Sequence, residues 1–230
     1  MATDDRTGTD SLALLRLFHL VSPALPVGAY AYSQGLEYAV HAGWVSNETS
    51  ALDWLDDLLR HSLGTLDLPI LLRLRQAWAA HDERAVGRWN RQLIASRETA
   101  EARAEDRHMG GALARVLIEL KVDGAGDWLE ADAAFATLFA LAAARWNIAE
   151  AATLGGYLWS WTENQVLAAI KLIPLGQSAG QRLLHRLTHS MPAAVEHARS
   201  LGDHEIGVGV LAPMLAGALH ETQYTRLFRS

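Results

Sequence analysis

The chain has 230 residues, half of them hydrophobic, and its 20 Lys and Arg against 26 Asp and Glu give a formal net charge of −6. This balance argues against a nucleic-acid-binding protein, which needs cations to displace counterions from phosphates. The lack of cysteine excludes disulfides, Cys-ligated zinc, iron–sulfur clusters and thiol nucleophiles. The polar, acidic start lacks a secretory-signal pattern, and the longest apolar run, 133–144, is shorter than the ~20 residues that span a bilayer. We therefore expect a cytoplasmic protein that does not enter a membrane.

Composition and spacing predict an all-α fold. The strong helix formers Ala and Leu occur 39 and 37 times, against 11 Val and 7 Ile, which favour strands. We expect one compact domain of about ten helices over 11–219, with a disordered start at 1–10 and a tail at 220–230 that docks on the domain or on a partner. Capping residues, apolar spacing and Gly/Pro breaks predict helices at 11–20, 29–43, from 46 or 47 onward, 66–80, 82–96, 99–121, 129–146, 148–172, 179–188, 192–200 and 211–220.

One short motif offers an enzymatic alternative. Residues 176–180 read Gly-Gln-Ser-Ala-Gly and match the G-x-S-x-G elbow of serine hydrolases, with Ser178 as the nucleophile. That elbow works at a tight turn from a strand into a helix, where the serine oxygen is presented at the edge of a parallel sheet. Residues 170–175 could pass locally as a strand, but they follow a long helical pattern. The serine hydrolase stays the alternative to a non-enzymatic function.

A histidine pair has the spacing of a metal chelate. His185 and His189 are four residues apart and share one face of a predicted helix, which suits zinc or nickel. Arg186 stands where a metalloprotease would carry its glutamate, and two histidines are at most half of a site. A polar helix face is the other interpretation, so no complete metal site is predicted.

Three segments carry polar and aromatic groups that a simple helical core does not need. Residues 25–37 combine a proline loop with glycines and tyrosines, which suits either an interface or an ordinary helix entry. In 157–177, five positions fall on one helical stripe, which suits a partner surface, a polar seam between protomers, or a core edge with a polar rim; they are Tyr157, Trp161, Asn164, Ala168 and Lys171. The tail 220–230 carries aromatic and apolar residues beside arginines and looks able to dock.

These segments resemble the UreF family of urease accessory proteins. The resemblance runs in order from about Leu12 to the end of the chain. Its motifs are SPALPVG at 22–28, YSQGLE at 32–37, AGWV at 42–45, RETAE at 97–101, RAEDR at 103–107, YLWSW at 157–161, ENQ at 163–165 and AIKLIPLGQ at 169–177, followed by the tail.

The resemblance implies a function and a set of partners. UreF-like proteins are all-helical homodimers that act with a second accessory protein, UreD (also called UreH), and with the GTPase UreG. The assembly delivers nickel to apo-urease, coupled to GTP hydrolysis by the partner. The resemblance thus implies a non-catalytic scaffold and GTPase modulator without a cofactor of its own.

Individual residues carry over from the family as well. The resemblance places the GTPase-facing surface at Tyr30, Ser33 and Glu37, with Lys171 contributing, and it places Gln177 on a polar path for metal passage.

The tail residues Tyr224, Arg226 and Arg229 are implied to become ordered when UreD/UreH binds. On physical grounds we expect Arg226 then to brace the loop 26–37, so that one partner prepares the site for the other.

Overall fold

A computed structural model describes residues 10–207 and 211–230. These residues contain eleven α-helices and no strand, which confirms the all-α prediction. The predicted disordered start lies outside the described residues except for Asp10. The α-helices are α1 (Ser11–Leu20), α2 (Leu36–His41), α3 (Glu48–Leu58), α4 (Leu68–Ala79), α5 (Glu83–Ala95), α6 (Ala100–Glu119), α7 (Phe135–Arg145), α8 (Glu150–Leu172), α9 (Gln177–Thr188), α10 (Met191–Ser200) and α11 (Leu211–His220).

Side-chain caps fix where four of these helices begin. The caps are Asp10, Asn47, Asp82 and Thr99, and each accepts a backbone N–H from the first turn at 2.7 to 3.1 Å. Each cap satisfies an N–H group that the helix itself cannot pair, which stabilises the helix by about 1 kcal/mol. The starts predicted from these residue types are therefore correct.

The helices α3 and α4 form one continuous run, although the sequence predicts a break between them. The residues that join them, Leu59–Asp67, form a wide π-helical turn. Pro69 has no N–H to donate to the carbonyl of Thr65, and that carbonyl accepts the backbone N–H of Gly207 at 3.1 Å instead. Pro69 therefore lies within a continuous helix, and the Thr65 carbonyl still has a hydrogen-bond donor.

The predicted helix 29–43 is wrong over its first half. Residues Ala29–Ala31 form a 3₁₀ turn, and α2 begins only at Leu36. Gly28, Gln34 and Gly35 all have left-handed backbone angles, with φ of 78°, 51° and 83°. A right-handed helix cannot pass through such residues, so this segment folds as a loop.

The helix α7 lies at the centre of the domain. Nearly all its residues are buried, and it packs against α4, α6 and α8. It begins six residues later than predicted because its first N–H groups are paired from outside: Ala134 donates to Asn90 and Phe135 donates to Asp106, both at 2.9 Å. These caps come from α5 and α6, so no nearby residue signals this start.

Candidate functional site

The tail 220–230 lies against the loop that precedes α2. Glu37, in the first turn of α2, accepts the backbone N–H groups of Leu227 at 2.6 Å and Phe228 at 2.9 Å. Ser33 donates both its N–H, at 2.9 Å, and its hydroxyl, at 2.6 Å, to the carbonyl of Ser230. Ser33, Glu37, Phe228 and Ser230 are all buried. The loop and the tail therefore form one hydrogen-bonded unit.

A chain of polar side-chain contacts fastens the start of the tail to α6. The ring of His220 is fully buried between two carboxylates, with Nε2 at 3.1 Å from Glu37 and Nδ1 at 2.8 Å from Glu101. Arg226 forms an ion pair with the other oxygen of Glu101. Arg226 therefore reaches the loop through Glu101, His220 and Glu37. The expectation that Arg226 braces the loop 26–37 when UreD/UreH binds stays a prediction.

The buried carboxyl of Glu105 joins the loop, the tail and α6. It accepts a hydrogen bond of 2.6 Å from the Gln34 amide and one of 2.9 Å from the Ser230 hydroxyl. Burial raises the pKa of Glu105 to about 7, against the opposing effect of these two donors. Gln34 is held from the other side by Trp161, whose indole N–H donates to it at 2.7 Å.

The predicted stripe on α8 contacts this unit along most of its length. Besides Trp161, Asn164 donates to the carbonyl of Ala29 at 3.0 Å. The ammonium of Lys171 lies 5.6 Å from the centre of the Phe228 ring, within cation–π range. The stripe is therefore a polar seam within one chain that holds both the loop and the tail.

Beneath the loop lies a buried cluster of charges. Arg97 donates to Asp67 at 2.5 Å and to Asp106 at 2.7 Å, and the Tyr157 hydroxyl donates to Asp67 at 3.2 Å. Burial alone would lower the pKa of Arg97, but the two carboxylates outweigh it and raise that pKa. Burial, reinforced by the same carboxylates, raises the pKa of Tyr157. The cluster ties the π-helical turn before α4 to α6 and α8.

A cavity of about 220 Å³ separates this cluster from the loop. Its wall includes apolar groups from α1 and the loop, such as Leu20 and Val27, and polar groups from the cluster and the seam. Gln177 does not line it, because this residue lies exposed in the first turn of α9.

The residues predicted for the GTPase side occupy two different environments. Tyr30 is 70% exposed and Lys171 is exposed, whereas Ser33 and Glu37 are buried under the tail. In the tail, Leu227 is 67% exposed and is followed by the buried Phe228.

In the tail, Tyr224, Arg226 and Arg229 are exposed, although Arg226 pairs with Glu101 and the side chain of Arg229 hydrogen-bonds to Tyr32. The backbone N–H of Arg229 donates to the carbonyl of Ala31 at 2.8 Å. The tail thus docks through its backbone and through Phe228 and Ser230, while Tyr224, Arg226 and Arg229 remain accessible at the surface.

Sequence reasoning missed four residues that join the loop and the tail: Gln34, Glu101, Glu105 and His220. Glu101 and Glu105 are four residues apart on α6, so both carboxylates lie on one helix face. This spacing, in a segment that already matched the family motifs, could have marked Glu101 and Glu105 as site residues. Nothing local in the sequence marks His220 as their partner.

The structure gives little support to a serine hydrolase site at Ser178 or to a complete metal site. Ser178 lies in the first turn of α9, and the residues before it are the end of α8 and an irregular connection at 173–176 rather than the strand that a nucleophile elbow requires. Within 10–207 and 211–230, no group of three or more His, Asp or Glu side chains is arranged to hold a metal ion. Over the same ranges, no helix has the length and apolarity needed to cross a membrane.

The described residues define an all-helical domain whose polar side chains are used to hold a loop and a tail in place. The family model for UreF matches residues 45–188. The urease accessory protein UreF of Alkalilimnicola ehrlichii is 50% identical over 231 aligned residues, which cover 100% of both chains. The proteins of the same name from Teredinibacter turnerae and Hahella chejuensis are 52% and 49% identical and cover 94% and 95% of this chain.

This chain therefore belongs to the UreF family of urease accessory proteins. Membership implies a role in the maturation of urease.

Proposed function

We propose that this chain is a non-catalytic scaffold for nickel insertion into apo-urease, acting in the cytoplasm as a homodimer with UreD/UreH and the GTPase UreG. Its similarity to urease accessory proteins over the full length supports the maturation role. The nickel ion is cargo in this proposal, and GTP hydrolysis belongs to the partner, whose activity the scaffold modulates.

The observation that carries the proposal is the joint surface made by the loop and the tail. Tyr30 of the loop and Tyr224 and Leu227 of the tail all expose large side chains on it. Exposed aromatic and apolar side chains beside arginines are typical of protein–protein interfaces. We assign UreG to the side with Tyr30 and Lys171 and UreD/UreH to the side with Tyr224, Arg226 and Arg229.

The buried contacts beneath this surface supply a way to couple the two partners. Glu37 and Ser33 hold the tail by its backbone, so the position of the tail and the shape of the loop depend on each other. A partner that orders the tail therefore lowers the cost of ordering the loop for the second partner, which gives positive coupling. In this proposal Ser33 and Glu37 act as positioning residues rather than as direct contacts.

Co-purification tests the proposed partners. The chain should be expressed with UreD/UreH and UreG in one host, as the full chain and as a variant that lacks 221–230. We expect a three-component complex with the full chain and none with the shortened one, while circular dichroism shows that the helices persist. An equally stable complex without the tail would overturn the assignment of UreD/UreH to this surface.

A further inference from the structure

The last turn of α9 presents two histidines that the loop, the tail and the charge cluster do not use. His185 and His189 are both exposed, and their ring centres are 5.0 Å apart. His189 keeps a right-handed helical backbone as the residue that ends α9, so the two side chains leave the same face of the helix. Two imidazoles at this spacing can reach one metal ion.

The hydrogen bonding of His189 leaves its outer nitrogen available as a ligand. Its Nδ1 lies 3.0 Å from the carbonyl oxygen of His185 and 3.3 Å from that of Arg186. A carbonyl oxygen can only accept, so Nδ1 carries the proton and Nε2 of the neutral ring carries the lone pair. Metal-binding histidines are commonly oriented by such a bond from the second ring nitrogen to a carbonyl.

The position on the helix also favours a cation. The pair lies at the carboxyl end of a twelve-residue helix, where the aligned peptide dipoles give a partial negative charge. The nearby positive charges work against binding. Arg182 is paired with Glu48 at 2.7 Å, while Arg186 lies between the two histidines in the sequence.

We propose that His185 and His189 form a surface site that binds one divalent cation of the Ni²⁺ and Cu²⁺ type and exchanges it readily. The two imidazoles supply two nitrogen ligands and water supplies the others, a mixed N,O set that suits these ions. The described residues hold no third His, Asp or Glu grouped with the pair. The site is therefore suited to brief capture of the ion and not to storage.

Nickel titration of the purified full chain, free of any histidine tag, tests this site. Isothermal calorimetry with NiCl₂, together with histidine ring NMR signals, should show binding to one site per chain with broadening confined to His185 and His189. Changing a residue that only hydrogen-bonds a metal ligand costs roughly 10- to 100-fold in metal affinity. His185→Gln and His189→Gln each remove a ligand itself, so each should weaken Ni²⁺ binding by at least that much.

The matched control is His197→Gln, which changes an exposed histidine on α10. This variant should bind Ni²⁺ like the parent chain. Equal binding by the double variant His185→Gln/His189→Gln, or the absence of any Ni²⁺-dependent change at the two rings, would overturn the proposal. Both results concern the isolated chain, so they are independent of whether the scaffold function holds.

Discussion

The carboxylate of Glu37 accepts a 2.9 Å hydrogen bond from the backbone N–H of Phe228, which lies 191 residues further along the chain. The same carboxylate accepts the N–H of Leu227, so one side chain satisfies two successive amides of the tail. Backbone amides that are removed from water need such partners. The Glu37 carboxylate is therefore one of the main contacts that hold the tail, beside those of Ser33 and Glu105.

Replacing Glu37 should release the tail without unfolding the domain. Glu37→Ala leaves the N–H groups of Leu227 and Phe228 without their acceptor, at a cost of about 1–3 kcal/mol for each group that stays buried. We expect faster hydrogen exchange and faster tryptic cleavage in 221–230. Glu119→Ala removes an exposed carboxylate at the far end of α6 and is the control, which should leave both rates unchanged.

Glu37→Gln refines this test because an amide keeps one acceptor oxygen. It should give an intermediate rate of exchange in the tail. Parent-like exchange in Glu37→Ala would show that Glu37 does not hold the tail.

Glu105 should make the stability of the fold depend on pH. Burial raises its pKa from 4.5 to about 7, so the folded state binds one more proton than the unfolded state between these values. Stability contributed by this group therefore falls as the pH rises from about 4.5 to 7 and is constant above that range. The shift corresponds to a loss of up to about 3 kcal/mol across the window.

Urea unfolding at several pH values measures this loss. Glu105→Gln keeps the shape of the side chain but cannot ionise. The difference in unfolding free energy between the parent chain and Glu105→Gln should therefore change across pH 4.5 to 7. A constant difference would mean that the buried carboxyl titrates normally.

Gly110 on α6 should not tolerate a methyl group. A Cβ atom at this position would lie 1.9 Å from the carbonyl oxygen of Ala133, which belongs to the backbone leading into α7. We expect Gly110→Ala to destabilise the fold by more than about 2 kcal/mol, because backbone must move to relieve the clash. Gly155→Ala on α8 is the control, since a Cβ there meets nothing within 4 Å and alanine favours a helix.

Thermal unfolding of the two glycine variants separates them. Gly110→Ala should melt at a lower temperature than the parent chain, whereas Gly155→Ala should melt at the same temperature or higher. Equal melting of both variants would contradict the close packing of α6 on the segment before α7.

The buried Arg97 should matter far more to stability than an exposed arginine with similar bonds. Arg97→Ala leaves Asp67 and Asp106 buried without their cation, which costs about 3–5 kcal/mol. Arg182 also pairs with a carboxylate, that of Glu48, but at the surface, where water screens the pair and it contributes little to stability. Urea unfolding of Arg97→Ala and Arg182→Ala should show this contrast, and similar losses would argue against a charge cluster sealed from water.

The sequence was informative where structure depends on neighbouring residues. Asp10 and Asn47 cap α1 and α3 through bonds to amides three residues ahead, so the residue types around these positions were enough to place both starts to within one or two residues. The motifs also located the loop and the tail. The same local logic failed at 29–35, where left-handed residues in succession break a run of helix-forming residues.

The arrangement of the site depends on partners far apart in the chain. His220 meets Glu37 across 183 residues and Glu101 across 119 residues. No spacing rule predicts such pairs, because they are set by how α2, α6 and α11 pack. The burial of Ser33 and Glu37 beneath the tail follows from the same packing, so a sequence motif could mark these residues but not show what covers them.

Urease activation in cells tests the central claim most directly. Urease, UreD/UreH and UreG should be expressed in a nickel-supplied host with the parent chain, with Glu37→Ala, or without this chain, and the purified urease assayed for bound nickel and activity. The scaffold account predicts nickel-loaded, active urease with the parent chain, a clear loss with Glu37→Ala, and almost none without the chain. Full loading and activity in the absence of this chain would contradict it.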